Sequence, residues 1–269
     1  METIPEVIPP LPQTKPLYRQ LDTFAGLDWL LQGWRDLFRA PVSSFTYGLA
    51  MFLGSWIVLW TIFSLDYDYI LFPALSGFMI IGPLLAIGMY EKSRRLASGA
   101  PVTLSYVFFV KPASGGQVLY TGVLLCVLMM LWMRAAVLLY GLFFGMQPFS
   151  GIEHIHETIF LTQRGNALLA VGTLVGGLFA AFSFAISVFS IPMQLAERTD
   201  ALTAMGLSLA LVWNNLRPML VWGCIVFSLF IAGVVTGFLG FIIIFPLLGH
   251  ATWHAYLAVR KPESPAYLS

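Results

Sequence analysis

Long uncharged stretches alternate along the chain with short segments that carry most of its charged residues. A helix that crosses a bilayer needs about 20 apolar residues, because the hydrocarbon core is about 30 Å thick. The uncharged stretches lie at 42–63, 69–90, 118–145 (interrupted by Arg134), 166–196 and 218–259. The last would be about 63 Å long as one helix, so it must fold back near its glycines. The pattern therefore predicts six crossings, the last two at 218–235 and 239–259.

The fold class predicted from these stretches is all-α integral membrane. They lack the two-residue alternation of barrel strands, and lipid offers the backbone no hydrogen-bond partners, so helices are the spanning structure that fits. Lys and Arg concentrate in the N-terminal segment, in the connections 2–3 and 4–5, and after the last crossing. Since short basic loops stay in the cytoplasm, we expect both termini there.

Amphipathic segments precede the odd-numbered crossings and predict a threefold repeat. Phe24–Arg39 and Ala201–Leu216 each place an apolar stripe opposite polar residues, and Pro101–Val110 is a weaker copy. The stripe of the first segment consists of Leu27, Leu30, Leu31, Trp34, Leu37 and Phe38. We expect each segment to lie at the cytoplasmic interface before a transmembrane hairpin. The six-helix domain then covers 22–261, in units of about 24–95, 101–198 and 200–261, between a Pro-rich flexible tail (1–21) and a short tail (262–269).

Prolines recur in the even-numbered crossings, at Pro83, Pro192 and Pro246. A proline inside a helix removes one backbone hydrogen bond, so each is expected to kink its span. Two interpretations stay open, improved packing and a role in gating.

Composition strengthens the membrane prediction and limits the partners. Of 269 residues, 58% are apolar and 10% are charged, with a mean hydropathy of +0.83. Ordinary soluble domains have about 25% charged residues, so a water-soluble fold is excluded. The net charge of +1 gives no sign of a nucleic-acid partner. Cys126 and Cys224 lie in apolar runs, where we expect small buried side chains and no disulfide.

Two charged residues are candidates for function. Arg134 is the charge within a predicted crossing, where it could balance an anionic solute or an acidic loop residue, or extend to the interface as lipid-facing cations do. Glu91 lies near the cytoplasmic end of the second crossing. Both readings of Arg134 stay open.

The histidines form two candidate sites. His250 and His254 are four residues apart, so both rings project from one helical face and are candidate cofactor or metal ligands. A third ligand would come from Glu91 or Glu197; the alternative is a pair that hydrogen-bonds to its neighbours. The weaker metal candidates, Glu153, His154, His156 and Glu157, cluster in the opposite loop, where a solvated loop is the simpler explanation.

Several segments are similar to a known family. They include Gly33-Trp34-Arg35-Asp36-Leu37-Phe38-Arg39-Ala40-Pro41, Gly82-Pro83-Leu84-Leu85-Ala86 and the closing Gly249-His250-Ala251-Thr252-Trp253-His254-Ala255-Tyr256. These residues resemble a bacterial family of predicted integral membrane proteins catalogued as a domain of unknown function, some members of which are labelled cytochrome c oxidase subunit I-like. The resemblance implies a multi-pass protein of the bacterial cell inner membrane and carries no established activity. An oxidase core would need more crossings and more histidines than this chain has.

The leading functional hypothesis is a non-enzymatic membrane protein, for small-solute transport or as an accessory scaffold of a membrane complex. No nucleophile elbow, phosphate loop, dinucleotide fingerprint or zinc-protease motif occurs, so we expect neither an enzyme nor a cofactor. The alternatives are a haem- or metal-associated redox or assembly protein using His250 and His254, and lipid handling at the inner leaflet. The expected partners are the lipid bilayer and either another membrane protein or a second copy of the chain.

Overall fold

A computed structural model describes residues 17–145 and 156–260, and these residues form eleven α-helices and no β-strand. The helices are α1 (Ala25–Phe38), α2 (Pro41–Ser64), α3 (Leu71–Leu85), α4 (Ile87–Ala97), α5 (Leu104–Phe108), α6 (Gly115–Phe144), α7 (Gln163–Ser187), α8 (Ser190–Ala196), α9 (Ala201–Asn214), α10 (Leu216–Val235) and α11 (Phe241–Val259). A 3-10 turn (Asp68–Ile70) precedes α3 and a π turn (His156–Phe160) precedes α7.

Six helical segments are long and apolar enough to cross a membrane. They are Pro41–Ser64, Asp68–Ser98, Gly115–Phe144, Gln163–Ala196, Leu216–Val235 and Phe241–Val259. The all-α membrane fold and the six predicted crossings are thus confirmed. The chain folds back between α10 and α11, where Gly237 takes a φ of +62°, a left-handed conformation that suits glycine.

The second and fourth crossings are each built from two helices. A break at Ala86 separates α3 from α4, and a break at Val188 and Phe189 separates α7 from α8. Pro83 lies two residues before the end of α3 and Pro192 lies in the first turn of α8. Pro246 lies inside α11, which continues through it.

The connections that carry most of the basic residues gather at one end of the bundle, which we call the basic end. Arg19 donates its backbone N–H to Asn215 Oδ1 (2.9 Å), and Thr199 donates its own to Ser114 Oγ (2.8 Å). The Lys and Arg residues of this end are Arg19, Arg35, Arg39, Lys92, Arg94, Arg95, Lys111, Arg198, Arg217 and Arg260. The opposite end carries Asp66, Asp68, Glu157 and Arg164.

The last helix, α11, is the centre of the bundle, with α1, α2, α4 and α10 packed around it. Glycines allow three of these close approaches. A methyl group at Gly33 of α1 would overlap the backbone of Ala251, one at Gly48 of α2 the backbone of Ile242, and one at Gly249 the side chain of Met89. Helix α11 is therefore held by backbone-close contacts, which only small residues permit.

Helix α1 has two apolar faces. Its buried face comprises Ala25, Gly26, Trp29, Gly33, Asp36 and Leu37. Of the predicted apolar stripe, Leu37 is buried, whereas Leu27, Leu31, Trp34 and Phe38 are exposed. The stripe therefore faces away from the protein, and the buried face packs on α10 and α11.

The threefold repeat stays a prediction. Helices α1 and α9 have 14 residues each, whereas α5, at the third expected position, has five. Asp200 caps α9 by accepting a hydrogen bond from the Thr203 N–H (2.9 Å). Hydrogen bonds from Thr203 hold the pKa of the Asp200 carboxyl below its ordinary value. Of the predicted tails, 1–16 and 262–269 lie outside the described residues.

The prediction that the cysteines are buried is wrong. Cys126 on α6 and Cys224 on α10 are both free and exposed. In a membrane bundle the outer surface contacts lipid and is as apolar as the core, so an apolar run does not by itself indicate burial.

Candidate functional site

Four helices bring six polar side chains together at the basic end in one hydrogen-bonded chain, which we call the buried network. Its members are Asp36 of α1, Ser44 of α2, Lys92 and Ser93 of α4, and His250 and His254 of α11. All are buried except His254, which is partly buried. Ionisable residues at this depth are costly unless partnered, so the partners decide what the network can do.

One half of the network runs from His250 to Lys92. His250 Nε2 lies 3.1 Å from Ser44 Oγ. The Lys92 ammonium donates to Ser44 Oγ and to the carbonyl oxygen of Ala40 (3.1 Å). Ala40 takes a φ of +53° immediately before Pro41, and its carbonyl, in the bend between α1 and α2, accepts the Lys92 hydrogen bond.

The other half runs from His250 to His254. His250 Nδ1 lies 2.7 Å from Ser93 Oγ, and Ser93 donates to Asp36 Oδ2 (2.7 Å). His254 Nε2 donates to the same carboxylate oxygen (2.8 Å). Asp36 thus ties α1 to both α4 and α11.

One arrangement of protons satisfies every contact in the network. An ammonium can only donate, so Ser44 accepts from Lys92 and donates its own proton to His250 Nε2. His250 then carries its proton on Nδ1 and donates to Ser93, which donates to Asp36. The hydrogen bonds all point from the cation at Lys92 to the anion at Asp36, which makes the network a polarised chain.

Asp36 remains an anion at neutral pH. Burial acts to raise the pKa of its carboxyl, but the hydrogen bonds from His254 and Ser93 and the nearby histidines outweigh burial and hold the pKa below its ordinary value of 3.8. With Lys92 as an ammonium and both histidines neutral, the network encloses one positive and one negative charge.

The structure places His250 and His254 together, as their spacing predicts, but in hydrogen bonds. Both ring nitrogens of His250 and Nε2 of His254 are engaged. The suggested third ligands point elsewhere, since Glu91 pairs with Arg94 (2.8 Å) and Arg95 (2.6 Å), and Glu197 accepts from Tyr256 (2.6 Å) and pairs with Arg260 (3.0 Å). Within 17–145 and 156–260, no three His, Cys, Asp or Glu side chains are grouped to hold a metal ion.

Sequence analysis missed Asp36, Ser44, Lys92 and Ser93. In the sequence, Asp36 is one of the polar residues opposite the apolar stripe of the segment Phe24–Arg39, a position typical of a solvated side chain. Its partner His254 is 218 positions away. A usable signal exists in α1, where Gly26, Gly33 and Asp36 fall on one face. A line of glycines on a helix marks a close-packed face, so a polar residue on that line is a candidate for a buried partner.

The remaining candidates lie apart from this network. The Arg134 side chain is exposed on α6 and makes no ion pair with any described residue. His156 and Glu157 begin the π turn at the opposite end. Glu153 and His154 lie outside the described residues.

A cavity of about 140 Å³ lies among α3, α6, α7, α10 and α11. It adjoins the buried network through two shared helices. Tyr90 of α4 and Thr252 of α11 line the cavity, whereas Lys92 and His250 on the same two helices belong to the network. The lining residue Ala180 on α7 is exposed, so the cavity opens toward the surrounding lipid.

Three buried polar side chains in the cavity lining have no partner within the described chain. The hydroxyls of Tyr90 (1% exposed) and Thr252 (8% exposed) form no hydrogen bond, and neither does the indole N–H of Trp222. Buried polar groups are nearly always hydrogen-bonded, and leaving one unpaired costs about 1–3 kcal/mol. The cavity is therefore apolar with a few polar groups that can bind a ligand.

Residues 71–196, somewhat less than half of the chain, match the model of a family described as predicted integral membrane protein (DUF2189), a domain of unknown function. The match covers α3 to α8, which include one wall of the cavity and the helix that carries Lys92 and Ser93. Neither a curated protein nor a solved structure matches the chain.

Proposed function

We propose that the protein is a non-enzymatic carrier of a small apolar molecule in the bacterial inner membrane. The observation that carries this proposal is the intramembrane cavity with its unpartnered hydroxyls. An empty cavity of this kind costs stability, because the lining loses packing contacts and the polar groups lose hydrogen bonds. A bound molecule that fills the space and pairs with the hydroxyls recovers both.

The basic end is proposed to face the cytoplasm, and both termini with it. In the described residues that end carries ten Lys and Arg side chains, and the opposite end carries Arg164. Such an asymmetry determines orientation during insertion. A test is to introduce one cysteine at position 20 or 68 of a variant that lacks Cys126 and Cys224, and to label it with a membrane-impermeant thiol reagent. Position 20 should react from the cytoplasmic side and position 68 from the opposite side, and the reverse would contradict this orientation.

The buried network is proposed to support the cavity wall. It joins α1 and α2 to α4 and α11, the two helices that present Tyr90 and Thr252 to the cavity. Protonation of Asp36 would remove its negative charge and weaken the two hydrogen bonds that its carboxylate accepts, so the position of this wall is proposed to respond to acid.

An enzymatic role is not favoured by the geometry of the serines. Ser44 lies beside His250 and Lys92, an arrangement that activates nucleophiles in hydrolases. However, Ser44 and His250 are fully buried and Ser93 is 1% exposed. A substrate could therefore not reach the hydroxyl of either serine. The haem or metal alternative gains no support either, because ligation by His250 would break its hydrogen bonds to both serines.

Mass spectrometry of protein purified from native membranes tests the proposal. Wild-type protein should retain about one small apolar molecule per chain, in excess of the bulk lipid that co-purifies with it. Gly82 lines the cavity and has open space around its Cβ position, so Gly82→Leu should fill the cavity and reduce retention several-fold. Gly177→Leu, on α7 outside the lining and equally unobstructed, is the matched control and should retain the molecule. Equal retention by the two variants, or none by wild type, would contradict the proposal.

A further inference from the structure

We propose that the molecule in the cavity is an isoprenoid quinone, held by hydrogen bonds from the Tyr90 and Thr252 hydroxyls to a ring carbonyl oxygen. Such a ligand is a specific case of the small apolar molecule proposed above and rests on that function. The proposal concerns binding and requires no electron transfer.

The size of the cavity matches one six-membered ring. Its volume of about 140 Å³ is close to that of engineered apolar cavities of about 150 Å³, which bind benzene. A quinone head group is such a ring with two carbonyl oxygens. The ring alone fills this space, so the isoprenoid tail would lie outside it, in the lipid.

The polarity of the lining selects an uncharged ligand with acceptor oxygens. None of the described residues that line the cavity is charged. A phosphate, carboxylate or amine would therefore be desolvated there without an opposite charge. The Trp222 N–H can only donate, and the Tyr90 and Thr252 hydroxyls can donate as well as accept, so a carbonyl oxygen is a partner that suits all three.

An opening in the lining gives the tail of such a quinone a way out of the cavity. The lining residue Ala180 on α7 is exposed, so a ligand whose ring lies inside can extend its tail into the surrounding lipid. Phe78 of the lining stacks on Phe230 (6.1 Å between centroids) and on Phe241 (5.8 Å), and these rings offer an aromatic surface to the quinone ring. An isoprenoid tail is apolar and therefore suits the lipid.

Binding to the full-length protein in lipid nanodiscs tests the proposal with 2,5-dimethyl-1,4-benzoquinone, a one-ring quinone with two carbonyl groups, and p-xylene, the hydrocarbon with the same ring and methyl groups. Wild-type protein should bind the quinone more tightly. Tyr90→Phe removes only the hydroxyl and Thr252→Val replaces it with a methyl group, and each should weaken quinone binding about fivefold, the effect of one hydrogen bond. Neither variant should change binding of the hydrocarbon, which also shows that the variant is folded.

Tyr120→Phe and Thr173→Val are the matched controls, since both residues are exposed and outside the cavity lining. They should bind the quinone probe as wild type does. Extraction of protein from native membranes should also yield a quinone in stoichiometric amount.

Equal affinity for the quinone probe and the hydrocarbon, or variants that weaken binding of both alike, would overturn the quinone proposal and leave the carrier function standing. A stoichiometric glycerolipid in the extract, without a quinone, would do the same. If neither probe binds and no apolar molecule is retained, both the quinone proposal and the carrier function fail.

Discussion

At the scale of single residues, Asp36 determines how the basic end is held together. Its carboxylate accepts from Ser93 and His254, and it is the anion that balances Lys92. Removing one member of such a buried chain leaves its neighbours unpaired, which costs more than the hydrogen bond itself contributes. The position of α1 on the bundle should therefore depend on this carboxylate.

Asp36 predicts a specific pH dependence of stability. Because the pKa of Asp36 is lower in the folded protein than in the unfolded chain, the unfolded chain binds more protons near that pH. The stabilising contribution of Asp36 is therefore present above about pH 4 and is lost as the pH falls through its folded pKa. Thermal unfolding in detergent from pH 6 to 3 should show a steeper loss of stability for wild type than for Asp36→Asn.

The matched control is Asp28→Asn, at an exposed position of the same helix. It should follow the wild-type curve. Parallel curves for wild type and Asp36→Asn would show that the carboxylate does not hold the basic end.

The residue scale is also where sequence analysis was weakest. The histidine pair was found because its two members are four residues apart on one helix. Its partners come from three other helices, and the closest of them in sequence, Ser93, is 157 positions from His250. Contacts at such separations follow from the packing of helices, which a single sequence does not contain. The cavity was missed for the same reason, since Tyr90 and Thr252 look like ordinary interface residues until their helices are packed.

At the scale of secondary-structure elements, the close crossings of α11 determine the packing. The crossings were predictable as spans, because length and hydropathy depend on consecutive residues and the bilayer sets the length. Which side of each span is buried was not predictable, because the lipid-facing and core-facing sides of a membrane helix are equally apolar. Cys126 and Cys224 illustrate this, since both lie in apolar runs and both are exposed. Glycines are the better guide to the inner face, as Gly33 and Gly48 show.

A pair of glycines on α2 tests this packing. A methyl group at Gly48 would overlap the Ile242 backbone, so Gly48→Ala should force α2 from α11 and destabilise the protein by about 1–3 kcal/mol, as overpacking does. Gly54, on the same helix, has nothing within 4 Å of its Cβ position. Gly54→Ala should therefore be neutral or stabilise by up to about 1 kcal/mol, because alanine has the higher helix propensity. Unfolding by denaturant in detergent measures both, and equal effects would contradict the close crossing of α2 and α11.

At the scale of the whole molecule, the network and the cavity occupy the same two helices. Helices α4 and α11 carry Lys92 and His250 as well as the cavity residues Tyr90 and Thr252. The second and fourth crossings are broken at Ala86 and at Val188, both of which line the cavity. A movement about these breaks would change the shape of the cavity while the outer halves of the spans stay in place. A carrier needs two such states, whereas a scaffold needs one.

The distance between the two cysteines tests this difference most directly. The chain has two cysteines, Cys126 on α6 and Cys224 on α10, and both are exposed. They can therefore be spin-labelled without mutation. Both helices contribute residues to the cavity lining. For a carrier, pulsed electron paramagnetic resonance in nanodiscs should show two distance populations in the wild type and a shift to one of them in Gly82→Leu, whose cavity is filled. A single population, identical in the wild type and in Gly82→Leu, would contradict the carrier function.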